Sequence, residues 1–465
     1  MEKDSSIQGA PEQGRRSWFW NFIDNIQGDK VILIIISMLI LFSIVTIFSS
    51  TSMLASSGIS RLDIFKEQMV TVFVGIAIIA VCYFIPRIWI FRALSQFGFM
   101  VSMTFLILLH TPLGVEVNGA VRAIQLGPIQ VHAYEVTKVA MILYLAWAIH
   151  AYKNDSFKMA GWLSSRFRSL SFLARPGWKR MVYIFIPILA VCVGILFGSF
   201  SSTVFIGGIM FVTILIGGIK FKEILPPALM CIAAVGLCIG IYFVSGGKVF
   251  ERFATAMSRL SMDEKHKDIK DLRPGTVEFQ EALDAIKQPA SAKIAIHEGG
   301  LIGKGPGNST QKYTVPLMFS DYMFSFIIEE YGLVGGIVVI MLYVSLLARA
   351  SLIVRACDNE FAKTAVAGLA VLISGQALMH MFINADLGPL TGQTLPMISH
   401  GKSSFFAFSI AFGVLLSISK MAKAKIKKEE EESEPLVEGL GVQDDNVQDT
   451  LSELDDFESG KGLAS

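Results

Sequence analysis

The sequence predicts an all-α polytopic membrane protein with about ten transmembrane helices and one large extracytoplasmic loop. Hydrophobic residues make up 53% of the 465 residues and charged residues only 17%, with a mean hydropathy of +0.56. A water-soluble domain carries roughly a quarter charged residues. The apolar residues also form blocks long enough to cross about 30 Å of hydrocarbon, as in Val31–Ile47, Met69–Ile85 and Ile224–Val244. Because backbone in lipid must satisfy its own hydrogen bonds, helices are the expected spanning elements.

The spans are oriented by the distribution of basic residues. They are predicted at 31–51, 67–86, 88–110, 133–152, 182–198, 200–218, 224–244, 321–348, 362–384 and 403–420. The loop 153–181 holds many lysines and arginines against the single acid Asp155, which places it in the cytoplasm. Both termini are then cytoplasmic, and the segments 111–132, 245–320 and 385–402 lie outside.

The charge distribution divides the chain into three parts, although the formal net charge is only +1. Residues 1–29 are polar and form a cytoplasmic N-terminal segment, and residues 30–420 form the membrane domain with its large outer loop at about 245–320. Residues 421–465 become strongly acidic from Glu429 onward and contain few aromatic side chains. Such a segment cannot bury enough apolar surface to fold, so it is predicted to be a disordered cytoplasmic tail.

Four groups of polar residues lie at the predicted outer ends of the helices, and polar residues in lipid are costly unless they pair or bind. In the first group, Glu135 and Lys138 are spaced i,i+3 and can pair on one helix face. Two interpretations stay open for this pair and the preceding segment Asn118–Arg122. The ion pair stabilises a short re-entrant segment, or the group presents a cation to an anionic phosphate.

The second group is the long outer loop, whose length favours a functional role. Its charged residues include Arg252, Arg259, Asp263, Asp268, Asp271 and Asp284.

The third group is the glycine-rich stretch Gly303–Ser309, which is followed by Asp321 and then by Glu329 and Glu330 on an apolar helix. A glycine-rich loop alone is weak evidence for a site. Three acids on the apolar helix that follows make it harder to dismiss, and hydropathy predicts that two of them are buried.

The fourth group runs from Asn384 through Thr391–Pro396 to Ser399–Ser404, where the last helix begins. Ser403 or Ser404 is predicted to cap that helix. The free amides at the N-terminus of that helix would favour binding of an anion.

The order of these motifs resembles the SEDS family (shape, elongation, division and sporulation), the FtsW/RodA/SpoVE type of peptidoglycan polymerase, with the FtsW-like division type favoured. The resemblance spans about residues 30–420. Five motifs in one order are specific, whereas no single motif would be. The matching segments are Asn118–Arg122, Ala133–Lys138, Gly303–Lys312, Asp321–Gly332 and Thr391–Ser404.

The chain departs from the family pattern at several positions. Val121 stands where Arg is usual and Ala123 where Trp is usual. In the last motif His400 replaces Tyr and Lys402 replaces Gly. Phe200–Thr203 stands where Pro-Asp-Leu-Gly is usual, and the outer loop is longer than the common pattern. These departures leave room for a weakened enzyme.

The resemblance implies a glycosyl transfer at the outer face of the bacterial inner membrane. Lipid II, a disaccharide-peptide on undecaprenyl pyrophosphate, would be polymerised into glycan strands during cell division. The chemistry needs a carboxylate near the attacking sugar hydroxyl and cations near the leaving pyrophosphate. Because Arg252–Thr255 resembles the stretch that precedes the family's proposed base, the resemblance favours Asp263 as catalytic residue, with Asp271 and Asp284 as alternatives. The predicted substrate contacts are Arg122, Glu135, Lys138, Lys304, Asn308, Asp321, Glu329, Lys402 and Ser403.

The resemblance also implies partners. They are a penicillin-binding transpeptidase, other division proteins and membrane lipid, with no nucleic acid. No carboxylate spacing demands a metal, and a divalent cation such as Mg²⁺ is left open as a way to neutralise the pyrophosphate. Three alternatives stay open: a flippase for the same lipid, a non-catalytic scaffold for the transpeptidase, and another polyprenyl-dependent sugar ligase or polymerase. The order of all five motifs favours the peptidoglycan polymerase.

Overall fold

The fold, seen in a computed structural model, is a bundle of α-helices with a small β-sheet at one end. The helices are α1 (Lys30–Ser50), α2 (Arg61–Tyr83), α3 (Ile88–Leu108), α4 (Ala133–Lys153), α5 (Pro176–Leu196), α6 (Phe200–Ile216), α7 (Val277–Gly299), α8 (Met323–Ala356), α9 (Glu360–Asn384) and α10 (Lys402–Gly439). The strands are β1 (Gly114–Val117), β2 (Ala120–Leu126) and β3 (Ile129–His132). The structure describes residues 27–50, 61–117, 120–127, 129–157, 175–196, 198–226, 276–314, 318–388 and 392–439, with the isolated residues 229, 236 and 240.

Within the described ranges, seven helices are long and apolar enough to cross a membrane, namely α1, α2, α3, α5, α8, α9 and the first part of α10. The apolar helix α6 is shorter, and α4 lies where another span is predicted. Each predicted span except 224–244 therefore coincides with a helix, and that one lies almost entirely outside the described residues. The prediction of an all-α, multi-pass membrane protein is confirmed.

The centre of the bundle is formed by α4, α9 and α10, which pack on one another, with α8 on α9, α3 on α4 and α2 on α10. Of the residues in the apolar, membrane-spanning part of each helix, 67% are buried in α9 and 78% in α10, against 22% in α3. The outer helices expose large apolar side chains such as Phe73 and Phe97. Side chains of this kind are stable on the outside of a bundle when the surrounding solvent is lipid.

The three strands form an antiparallel sheet in the order β1-β2-β3, not the re-entrant segment considered from the sequence. β2 pairs with both neighbours, with Ala123 opposite Val115 on one side and opposite His132 on the other. A left-handed glycine, Gly127 (φ 61°), makes the turn into β3. The sheet closes one end of the bundle and positions Arg122 there.

The large outer loop contains the helix α7, which packs against α8 and was not predicted. Its buried contact residues include Ala292 and Ala295, whose side chains are small. Because such residues contribute little to hydropathy, the apolar periodicity that would reveal this helix is weak.

The last helix is longer than predicted. α10 continues past the predicted end at residue 420 to Gly439, so the first part of the segment predicted to be a disordered tail is helical. Lysines followed by glutamates are good helix formers and can pair along the helix surface, which accounts for the extension. Residues 440–465 lie outside the described part of the chain.

Candidate functional site

Three of the four predicted polar groups meet at the end of the bundle that carries the sheet. The group in the outer loop is different, because Asp263 and Asp271 lie outside the described residues. Asp284 lies on α7, where the helix is described but this side chain is not. The assignment of the catalytic base therefore stays a prediction.

The glycine-rich loop is held by Glu329, whose side chain is completely buried on α8. Its carboxylate accepts hydrogen bonds from Lys304 Nζ at 2.8 Å, from Ser309 Oγ at 2.5 Å and from the Thr310 and Gln311 backbone amides at 2.8 and 3.2 Å. These bonds come from both ends of the loop. Glu329 is thus a positioning residue for the loop, and its oxygens face protein donors.

The neighbouring acid, Glu330, is also completely buried. It accepts hydrogen bonds from Ser49 Oγ of α1 at 2.6 Å and from the Gly307 amide at 3.0 Å, with Lys312 Nζ at 3.8 Å. The prediction that two of the three acids are buried is confirmed. Together these two glutamates connect the loop to two helices.

A kink in α8 receives the glycine-rich loop. Gly332 interrupts the helix with φ 70° and ψ −174°, and a Cβ there would lie 2.2 Å from the Leu301 carbonyl oxygen. A Cβ on Gly303 (φ 86°) would lie 2.3 Å from the Glu330 carbonyl oxygen, which accepts a hydrogen bond from the Gly305 amide at 2.9 Å. Glycine is required at both positions by φ and by this backbone-to-backbone approach.

Lys304 and Asn308 belong to the same loop and bond within it. Besides Glu329, Lys304 Nζ contacts Glu298 of α7 and Thr310 Oγ1 at 2.7 Å. The hydrogen bond from Lys304 lowers the pKa of the exposed Glu298 carboxyl. Asn308 Nδ2 donates to the Lys304 carbonyl at 3.0 Å. Both predicted substrate contacts therefore stabilise the loop in this structure.

Lys138 lies in a buried polar network on α4. Its ammonium group donates to Glu135 Oε1 at 2.7 Å, to Gln376 Oε1 at 2.6 Å and to Gln393 Oε1 at 3.0 Å. The predicted pairing of Glu135 with Lys138 is present, and the three ammonium donors are all used. The sequence reasoning included Gln393 in the fourth polar group without its contact to Lys138, and it missed Gln376, for which a glutamine within the apolar α9 is the available signal.

Arg122 of β2 and Asp321 before α8 meet at Gly392. A Cβ on this glycine would lie 3.7 Å from Arg122 Nη1 and 3.6 Å from Asp321 Oδ2. Burial raises the pKa of Asp321, while a hydrogen bond from Ser320 Oγ at 2.9 Å and the Arg122 charge oppose the rise. The two predicted residues thus place opposite charges close to Gly392 of the last motif.

A cavity of about 930 Å³ opens next to these groups, between α2, α3, α4 and α10. Glu67 and Cys82 of α2 both line it, so it extends about 22 Å along that helix. Most of its lining is apolar, from residues such as Phe91 and Phe406. Its polar end is lined by Gln125, Gln130, His132, His400, Lys402 and Ser403.

Ser403 and Ser404 do not cap α10 as predicted. The helix begins at Lys402, so both serines lie inside its first turn. Ser403 Oγ accepts a hydrogen bond from the His132 amide at 3.1 Å, and Ser404 Oγ lies 2.7 Å from Thr394 Oγ1. The tertiary partners, a strand and the preceding loop, compete successfully with the helix end for these hydroxyl groups.

No cluster of three or more His, Cys, Asp and Glu side chains suited to a metal occurs in the described ranges. The acids that the site does contain, such as Glu135 and Glu329, bond to lysine. The described residues thus offer no preformed cluster of metal ligands, and the divalent cation left open from the sequence stays a prediction.

Comparison with known proteins identifies relatives over almost the whole membrane domain. The cell cycle protein family of FtsW, RodA and SpoVE matches residues 29–424. The probable peptidoglycan glycosyltransferase FtsW of Coxiella burnetii is 29% identical over 365 residues, which is 76% of this chain and 86% of that protein. The stage V sporulation protein E of Bacillus subtilis is 24% identical over 412 residues, or 85% and 98% of the two chains.

Solved structures share the fold. A chain of a peptidoglycan synthase complex, studied for the coordination of polymerization and crosslinking, superposes with a TM-score of 0.59 at 19% identity, covering 84% of this chain and 98% of that chain. The rod shape determining protein RodA of Thermus thermophilus gives a TM-score of 0.54 at 19% identity, covering 85% and 98%. The chain belongs to the FtsW/RodA/SpoVE family of multi-pass membrane proteins.

Proposed function

We propose that this protein is a peptidoglycan glycosyltransferase that polymerises lipid II into glycan strands at the outer face of the bacterial inner membrane during cell division. The observation that carries the proposal is the long apolar cavity of about 930 Å³ with a charged and polar end. A cavity of this kind suits a polyprenyl chain whose phosphate groups stay at the polar end. The names of the relatives in Coxiella burnetii and other bacteria support the same activity.

The reaction would proceed by direct displacement. A hydroxyl of the acceptor sugar attacks the anomeric carbon of the donor, the bond from that carbon to the pyrophosphate oxygen breaks, and the configuration inverts. The hydroxyl proton passes to a carboxylate, and the bonding electrons leave with the pyrophosphate. Asp263 remains the proposed base, with Asp271 and Asp284 as the alternatives.

Cations near the leaving group would stabilise the charge that develops there. Lys402 lines the polar end of the cavity and Arg122 lies at the same end of the bundle, which supports these two as pyrophosphate contacts. Lys138 and Lys304 fit a different role, since their ammonium groups are bonded to protein acceptors. They position the two segments that surround the site.

A penicillin-binding transpeptidase is the proposed partner, because polymerised strands must be crosslinked. The similarity to a chain from a solved peptidoglycan synthase complex supports such an assembly. In the proposed orientation both termini are cytoplasmic, so that the glycine-rich loop and the sheet lie on the outer side.

The experiment is polymerisation of purified lipid II by the full chain in detergent, with its candidate transpeptidase present. Wild type would be compared with Asp263→Ala and with the matched control Asp268→Ala, which alters another acid of the same loop. We expect glycan strands from wild type and the control, and none from Asp263→Ala.

Other outcomes separate the alternatives. Strands from Asp263→Ala would move the base to Asp271 or Asp284. An absence of strands from folded wild type with its partner would reject the polymerase. A lipid II translocation assay in vesicles would then decide between the flippase and the scaffold.

A further inference from the structure

Lys402, one of the departures from the family motif, makes an ion pair with Glu67 at the polar end of the cavity. Lys402 Nζ lies 2.7 Å from Glu67 Oε1, and the side chains are 53% and 42% exposed. Both residues line the cavity. An ion pair as exposed as this one contributes little to stability because solvent screens it. The structure therefore contains a cation at the cavity whose present partner can be replaced.

The backbone that carries Lys402 is firmly held. The His400 amide donates to the Phe319 carbonyl at 2.9 Å, and Ser399 Oγ donates to the Ser320 carbonyl at 2.7 Å. His400 Nδ1 lies 3.2 Å from Gln68 Oε1. Because the segment before α10 is fixed, an exchange of partners at Lys402 needs only rotation of its flexible side chain.

We propose that Lys402 binds the diphosphate of the lipid-linked substrate and that Glu67 is the counter-ion that this diphosphate displaces. The proposal rests on the proposed function and adds Glu67, which then sets the affinity of the site by competing with the substrate for one cation. A diphosphate offers more charge and more acceptor oxygens than a carboxylate, so its bonds to the ammonium group are stronger. His400 completes the group, with Nε2 at 3.9 Å from Glu67 Oε1.

The proposal predicts that substitutions of Glu67 and Lys402 change the affinity for the diphosphate in opposite directions. In Glu67→Gln the competitor is neutral, so the diphosphate binds about two- to fivefold more tightly, the change that corresponds to an exposed ion pair. In Lys402→Met the cation is lost, so binding weakens about tenfold or more. A purely structural ion pair would be broken by either change, and both variants would then shift binding in the same direction.

The experiment is equilibrium binding of undecaprenyl pyrophosphate and of uncharged undecaprenol to the full chain in lipid nanodiscs. The matched controls are Asp63→Asn and Lys66→Met, which break another exposed ion pair of α2, with Nζ and Oδ1 3.8 Å apart. Neither control residue lines the cavity. We expect opposite shifts for the pyrophosphate in Glu67→Gln and Lys402→Met, no shift in the controls, and no shift for undecaprenol in any variant. Lys402→Arg, which keeps the charge, should bind the pyrophosphate like wild type.

Three results would overturn the proposal: shifts of the same sign in the two variants, equal shifts for pyrophosphate and undecaprenol, or unchanged pyrophosphate affinity in a folded Lys402→Met. A failure of the proposed function would give another set of results. Wild type would make no glycan strands from lipid II, while the opposite shifts in pyrophosphate binding in the two variants would persist.

Discussion

Lys138 and Lys402 lie towards the same end of the bundle, and each contacts a glutamate, yet their surroundings differ. Lys138 is buried and uses its three donors on Glu135, Gln376 and Gln393. Lys402 is half exposed beside a large cavity and contacts one carboxylate of similar exposure. Burial thus separates a cation that holds the fold together from a cation that can bind a ligand. The same residue type at the same end of the molecule does not imply the same role.

The largest effect expected from this difference is on stability. Lys138→Met leaves the Glu135 carboxylate, which is only 16% exposed, and two buried amide oxygens without their donor, which should lower the free energy of unfolding by about 3–5 kcal/mol. Lys402→Met is the matched control and should cost less than about 1 kcal/mol. Thermal unfolding in detergent measures both. Equal losses of stability in the two variants would contradict the different roles assigned to Lys138 and Lys402.

Lys304 allows the same comparison within one side chain, since it contacts the buried Glu329 and the exposed Glu298. Glu329→Gln should lower the free energy of unfolding by about 2 kcal/mol, because charge-assisted bonds to the loop are weakened. Glu298→Gln should leave stability almost unchanged, because solvent screens that pair. Limited proteolysis would show whether the glycine-rich loop is released in the first variant only. A larger loss in Glu298→Gln would contradict the assignment of Glu329 as the residue that positions the loop.

The smallest expected effect is on the pH dependence of stability and concerns His400, which lies beside Lys402 and Glu67. Burial lowers the pKa of His400 from 6.5, and the Lys402 charge adds to this while Glu67 opposes it. A histidine with a lowered pKa favours folding fully above about pH 6.5, and that contribution is lost as the pH falls towards its pKa in the folded state. His400→Tyr should therefore reduce the loss of melting temperature between about pH 7.5 and pH 5.5. An identical pH dependence in both proteins would show that folding leaves the pKa of His400 unchanged.

Local patterns predicted the parts of this molecule that depend on neighbours in sequence. The apolar blocks located the spans, and the i,i+3 spacing located the pair of Glu135 with Lys138. The partners Gln376 and Gln393 come from 238 and 255 residues away in the chain, and nothing in a local pattern brings them to Lys138. The order of five motifs along the chain carried the family resemblance, and that resemblance directed attention to the residues of the site.

Two errors have the same physical origin. Ser403 or Ser404 was predicted to cap α10, but the Ser403 hydroxyl bonds to His132 of a strand that was not predicted, and the Ser404 hydroxyl bonds to Thr394. The helix α7 was missed because it packs on α8 through alanines, including Ala292 and Ala295. In both cases the decisive partner belongs to a distant segment, so the local sequence signal was weak or pointed to a nearer partner.

The break at Gly332 divides α8 into two helical segments. The carbonyl groups of Glu329 and Glu330 accept hydrogen bonds from Lys304 and Gly305, and the Leu333 amide donates to Gly300. The parts of α8 before and after the break are consequently both bonded to the same short segment, residues 300–305, which bridges the break. A load applied to the loop or to α7 would therefore reach both parts of α8 together, and the bridging segment would hold the angle between them.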